Sequence, residues 1–208
     1  KMLWALLTLF FIHLCALVSP GPDFFIVSQT AVSRSRKQAI FVVLGITCAI
    51  FLWALFALLG LNYILEKFVW LHKVLLVLGG LYLCWLGFQL LKSAFSKKGE
   101  ASPLKEIELP QSNLRFFLQG LFTNLANPKA VIYFGSVFSM FLANPVLNES
   151  HTLLLAIVTL ESFVWFMFVV FVFSLPSFKN AYQKSTRWID GLVGGLFSLF
   201  GGYLIFTK

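Results

Sequence analysis

The sequence predicts an all-α integral membrane protein in which six transmembrane helices form two inverted three-helix repeats. Three observations lead to that prediction: a very apolar composition, six apolar stretches of membrane-spanning length, and two halves that repeat the same order of features. Of the 208 residues, 59% are hydrophobic and only 12% are charged, whereas roughly a quarter of a soluble domain is charged. A single core cannot keep so many apolar side chains from water, so the excess requires lipid.

Apolar stretches long enough to cross a bilayer, roughly 17–25 residues each, define six predicted helices. They cover residues 3–33, 39–62, 70–91, 114–143, 152–174 and 188–206. The first and fourth stretches are too long for one simple span, and prolines interrupt both, at Pro20 and Pro22 and at Pro128. Because proline removes a backbone donor, we predict that these two helices are broken there.

The two halves of the chain share an internal pattern. Each half has a proline-broken helix, an uninterrupted helix and a glycine-rich helix, and a polar stretch separates the halves. We therefore predict a first repeat over 1–95, a cytoplasmic linker over 96–113 and a second repeat over 114–208. Because each half has three membrane helices, an odd number, the second half enters the membrane from the opposite side. The two halves then form an inverted repeat, as in many secondary transporters. The glycines of the third and sixth helices predict close helix packing.

The distribution of basic residues predicts the orientation in the membrane. One face of the predicted topology carries eleven of the sixteen Lys and Arg residues: Arg34, Arg36, Lys37, Lys92, Lys97, Lys98, Lys105, Arg115, Lys179, Lys184 and Arg187. The other face carries four: Lys1, Lys67, Lys73 and Lys208. Basic residues mark the cytoplasmic side, so both termini are predicted to be periplasmic. The net charge of +8 lies in short clusters and forms no basic stripe, so no nucleic-acid partner is indicated.

Charged and polar residues lie next to both predicted breaks. A helix that restarts inside the membrane presents a positive end and unpaired N–H groups, which suits a carboxylate. Asp23 and Lys129, which follow the two breaks, could complement the two charges of an amino-acid zwitterion, or they could pair with each other. The sequence leaves both interpretations open. The predicted substrate-binding residues are Pro20, Gly21, Pro22, Asp23, Gln29, Asn124, Asn127, Pro128 and Lys129.

Glu161 lies near the centre of the fifth apolar stretch. Burial in the membrane favours the neutral form of a carboxyl, so Glu161 is a predicted proton-coupling residue, with Asp23 as a second one. The alternative is a permanently neutral carboxyl that serves packing. We interpret His13 as a packing residue and Asp190 as a carboxylate near the start of the sixth helix.

Three motifs carry a resemblance to a known family. They are SPGPDFFIVSQTA at 19–31, GGLYLCWLGFQLLK at 79–92 and FTNLANPKAVIYF at 122–134. With them the chain resembles the LysE/RhtB family of bacterial amino-acid exporters over roughly 3–207. Together with AVSRSRKQAIFVVLGITC at 31–48, the pattern is most like the threonine-exporting members. The resemblance implies proton-driven export of threonine, with homoserine as a second substrate, across the bacterial inner membrane.

Other classes of membrane protein fit the sequence less well. A redox relay needs paired thiols, but Cys15, Cys48 and Cys84 lie in separate predicted helices. An intramembrane enzyme would need a catalytic motif, and neither HExxH nor GxSxG occurs. A channel is the third alternative. We therefore expect no enzyme activity, cofactor or metal. The expected partners are a small amino acid, protons and the lipid bilayer, and a homodimer is an option.

Overall fold

The computed structural model describes residues 1–18, 21–95, 112–147 and 149–206, and every regular element in these residues is helical. The first half contains α1 (Met2–Val18), α2 (Pro22–Ser33), α3 (Arg36–Leu58), α4 (Leu61–Lys67) and α5 (Val69–Phe95). The second half contains α6 (Asn113–Leu125), α7 (Pro128–Ile132), a π-helical turn (Tyr133–Val137), α8 (Phe138–Leu142), a 3₁₀ turn (Pro145–Leu147), α9 (His151–Phe173) and α10 (Pro176–Phe206). Most of the predicted linker, residues 96–111, lies outside the described residues, as does Pro20.

Two described helices, α3 and α9, are each long and apolar enough to cross a membrane. The pair α1 and α2 meets the same criterion when taken together, with an angle of 60° between its two parts. The pair formed by α6 and the helical residues Pro128–Leu142 does so as well, with an angle of 53°. By length and composition the described residues therefore contain two to four membrane spans.

Local sequence signals explain where α3 begins and ends. Ser35 precedes the helix, and its hydroxyl oxygen accepts a hydrogen bond from the Gln38 amide at 3.2 Å. The Gln38 side chain accepts in return from the Ser35 amide at 3.1 Å, which completes a capping box. At the other end Gly60 has a φ of 97°, a left-handed conformation that glycine adopts at helix ends without steric cost.

The last helix is much longer than its predicted 188–206. It begins at Pro176, a residue type favoured at the first position of a helix. Residues 177–190 contain neither glycine nor proline, so no breaker stops the helix there. Lys179, Lys184 and Arg187, which lie between the predicted fifth and sixth helices, are therefore part of helix α10. Our interpretation of Asp190 as a residue at the helix start was wrong, because Asp190 lies in the interior of α10.

Small residues allow two helix pairs to pack backbone against backbone. A side chain on Gly45 of α3 would collide with the Phe117 carbonyl of α6, and one on Gly120 of α6 would collide with the Val42 carbonyl of α3. Between α5 and α10, a Cβ on Gly87 would lie 2.7 Å from the Gly194 carbonyl oxygen. The close packing predicted for the glycines of the third and sixth helices occurs at Gly87 and Gly194, but a Cβ on Gly195 or Gly202 would meet nothing within 4 Å in the described part of the chain.

Apolar side chains fill the interior and also cover much of the outside. Leu9, Val27, Ile46, Phe138 and Val158 are completely buried and belong to one core built from both halves. Large apolar side chains also lie exposed along several helices, among them Trp4, Leu78, Phe88, Met140, Phe168 and Leu199. An exposed apolar surface of this extent is not stable in water, so it indicates contact with lipid.

Candidate functional site

Asp23 is the centre of a buried polar cluster. It is the second residue of α2 and only 6% of its surface is exposed. Its Oδ2 accepts hydrogen bonds from the side-chain amides of Asn124 at 2.9 Å and Asn127 at 2.8 Å. Its Oδ1 is buried and has no hydrogen-bond partner within the described ranges. One carboxylate oxygen is thus held by the protein, and the other is left to accept from a ligand or water.

Asn127 connects this carboxylate to the start of α7. Its Oδ1 accepts from the backbone amide of Lys129 at 3.0 Å, so Asn127 is the N-cap of the helix that begins at Pro128. Its Nδ2 donates to Asp23. The beginning of α2 and the beginning of α7, which are about a hundred residues apart in sequence, therefore meet through one amide side chain.

Lys129 approaches the same place from α7. Its ammonium group donates to the Ala16 carbonyl oxygen at 2.8 Å. Ala16 is in the last turn of α1, where helix carbonyls lack intrahelical donors and a positive charge is favourable. Gly21 lies beside this ammonium group, since a Cβ on Gly21 would be 3.4 Å from Lys129 Nζ. The Gly21 backbone is extended, with φ −164°, so space next to Lys129 is what the missing side chain provides.

These groups line one small cavity. Its polar lining residues are His13, Asp23, Asn124, Asn127, Lys129 and Tyr133, and its apolar ones are Ala16, Leu17, Ile50, Ala130, Phe134 and Phe166. The volume is about 40 Å³, which suffices for a few water molecules because one needs roughly 10–15 Å³ by this measure. An amino acid is larger, so helices must move apart before one can enter.

Besides Asp23 Oδ1, three lining residues have a buried polar atom without a partner in the part of the chain described: His13 Nδ1, Asn124 Oδ1 and Tyr133 Oη. Buried polar groups are normally hydrogen-bonded, so a cluster of unpartnered ones indicates a place for water or a polar ligand. Two of them, the oxygens of Asp23 and Asn124, can only accept. The cavity thus combines acceptors with one ammonium group.

The sequence did not identify His13 or Tyr133 as site residues. His13 is only 2% exposed, and its ring lies 5.1 Å from the Tyr133 ring, centroid to centroid. Its Nε2 lies 2.9 Å from Ser162 Oγ and 3.2 Å from the Val158 carbonyl oxygen on α9. The available signal was a titratable residue in an apolar stretch, which is a candidate for function by default.

Five of the predicted residues that the structure describes are not part of the cavity lining: Gly21, Pro22, Gln29, Pro128 and Glu161. Gln29 donates through Nε2 to Asp190 Oδ1 at 3.2 Å, which connects α2 to α10. Glu161 on α9 has both carboxylate oxygens buried and without a hydrogen-bond partner among the described residues. The roles predicted for Gln29 and Glu161 stay predictions.

Helices with a lipid-facing surface and a buried charged cavity between them define a membrane protein of the transporter class. The model of the LysE type translocator family matches residues 14–208, and the chain belongs to this family. It is therefore a translocator of the LysE type, a transporter rather than an enzyme.

Comparison with individual proteins agrees with the family. The chain is 51% identical over 207 residues to the threonine efflux protein of Escherichia coli (strain K12), with 100% of both chains covered. It is 52% identical, with the same coverage, to the threonine efflux protein of Salmonella typhi. It is 28% identical to the leucine efflux protein of Enterobacter sp. (strain 638), over 89% of this chain and 87% of that one. No solved structure matches.

Proposed function

We infer that the chain exports L-threonine, with homoserine as a second substrate, from the cytoplasm to the periplasm, driven by the proton gradient. The observation that supports this most is the buried Asp23 carboxylate with one free oxygen in the same cavity as the Lys129 ammonium group. The full-length similarity to two threonine efflux proteins supports the substrate.

The cavity suits both charges of an amino acid. A substrate ammonium group has three donors, and the unpartnered oxygens of Asp23 and Asn124 are acceptors for them. The substrate carboxylate is bound by Lys129, which gives up its hydrogen bond to the Ala16 carbonyl. In the absence of substrate, Lys129 stabilises the end of α1 through this hydrogen bond, and the pairing of Asp23 with Lys129 stays the alternative interpretation.

The proposed transport cycle uses two inverted repeats of three membrane helices each. The order of elements supports this, because α1 with α2, α3 and α5 correspond to α6 with α7, α9 and α10. The last helices of the two halves, α5 and α10, pack closely on each other. Rocking of one repeat against the other would open the 40 Å³ cavity first to one side and then to the other.

Proton coupling is assigned to Glu161, with Asp23 as the second candidate. A carboxyl with both oxygens buried and no partner in the described part of the chain is costly when charged, so its protonation can follow the transport cycle.

The chain is proposed to lie in the inner membrane with both termini periplasmic, on the basis of the basic residues. Dimer formation stays a prediction. No observation favours a redox relay or a channel, and the three cysteines are free.

Efflux of labelled threonine from cells that express the chain tests the proposed function. We expect wild-type protein to lower the cellular threonine content, and an uncoupler to abolish this effect. Asp23→Asn should abolish efflux, because the substrate ammonium loses its charged partner. Glu66→Gln is the matched control, since Glu66 is an exposed carboxyl on α4. Threonine efflux by Asp23→Asn at the wild-type rate, with equal amounts of protein in the membrane, would contradict the proposed site.

A further inference from the structure

Nothing in the substrate site described so far distinguishes one amino acid from another, because Asp23 and Lys129 bind groups that all amino acids share. The remaining polar lining groups are His13 on α1 and Tyr133 in the π-helical turn that follows α7, and their rings pack together. These two side chains are therefore the ones that can contact a substrate side chain through a hydrogen bond.

The hydrogen bonds of His13 determine which ring nitrogen carries the proton. Nε2 lies 3.2 Å from the carbonyl oxygen of Val158, and a carbonyl oxygen can only accept, so Nε2 carries a proton. Ser162 Oγ, at 2.9 Å, accepts from the same nitrogen, because its own proton is donated to Val158 at 2.6 Å. In the neutral ring, Nδ1 then carries a lone pair. It is buried and has no donor within the described ranges.

We propose that His13 Nδ1 accepts a hydrogen bond from the side-chain hydroxyl of the substrate and so selects hydroxy amino acids over apolar ones of the same size. This inference rests on the proposed function. An unprotonated imidazole nitrogen needs a hydrogen-bond donor, and a side-chain hydroxyl is a neutral group that can donate. The other donor of the substrate, its ammonium group, is bound by the Asp23 carboxylate. Tyr133 Oη differs from Nδ1, because a phenol can itself donate and does not depend on a donor from the substrate.

The apolar part of the lining complements this assignment. Leu17, Ile50 and Phe166 surround the cavity and can contact the methyl group of threonine. Valine has the shape of threonine but a methyl group in place of the hydroxyl. When valine occupies the site, His13 Nδ1 stays buried without a donor, and a buried acceptor without a partner disfavours binding by about tenfold or more.

Competition by unlabelled L-threonine and L-valine against exchange of labelled threonine in proteoliposomes tests the proposal. Wild-type protein should prefer threonine, and His13→Phe should lower that preference at least about tenfold. The phenyl ring of that variant keeps the packing against Tyr133 and Phe134 but has no acceptor. Ser162→Ala is the matched control: Val158 still accepts from Nε2, so the preference for threonine should stay within about twofold of wild type.

If His13→Phe inserts but does not exchange, thermal stabilisation of the purified protein by threonine and by valine gives the same preference. An unchanged preference in His13→Phe, by either measurement, overturns the proposal. A preference that Tyr133→Phe abolishes and His13→Phe does not would overturn it in favour of Tyr133. If wild-type protein neither exchanges threonine nor is stabilised by it, the proposed function itself is wrong.

Discussion

Asn127 allows a quantitative test of how the two helix beginnings are joined. Its side chain makes two hydrogen bonds at once, one to the Lys129 amide as N-cap and one to the Asp23 carboxylate. Loss of an N-cap costs about 0.5–2 kcal/mol, and loss of a hydrogen bond to a charged group costs about 1.5–3 kcal/mol. We therefore expect Asn127→Ala to lower the free energy of unfolding by about 2–5 kcal/mol.

Two further variants separate these contributions. Asn124→Ala removes the other amide donor to Asp23 but no cap, so it should cost about 1.5–3 kcal/mol. Asn127→Ser keeps an N-cap oxygen but is too short to reach Asp23, and it should cost about the same as Asn124→Ala. Unfolding of the purified protein by sodium dodecyl sulfate in mixed micelles measures all three. If Asn127→Ala were no more destabilising than Asn127→Ser, Asn127 would not act as an N-cap.

Two more predictions concern coupling and orientation. Glu161→Gln vesicles should still exchange labelled for unlabelled threonine but should not respond to an imposed pH gradient, because exchange requires no net proton transfer; gradient-driven uptake into inverted vesicles of this variant would exclude Glu161 as the proton carrier. Reporter domains fused at Gly99 and after Lys208 should lie on opposite sides of the membrane, with Gly99 cytoplasmic. If both reporters were found on one side, the proposed arrangement of six membrane helices would be wrong.

The composition and the pattern of apolar stretches were sufficient to predict an all-helical membrane protein. The same patterns came within a few residues of the bounds of α3, α5 and α9, because apolar stretches and capping residues act over short distances in sequence. They failed for α10, where an absence of breakers extended a helix across residues that are polar enough to resemble a loop. The charged and polar residues beside the prolines also led us to predict Asp23, Asn127 and Lys129 as site residues, and the structure brings all three to one cavity.

Only the tertiary structure decided which polar residues meet. His13 contacts Ser162 across 149 positions of sequence, and Gln29 contacts Asp190 across 161. A polar residue inside an apolar stretch is recognisable in the sequence, but the direction in which it points depends on how its helix is rotated against its neighbours. That rotation follows from packing, such as the close approach of the α3 and α6 backbones at Gly45 and at Gly120. Packing in turn depends on residues far apart in the chain.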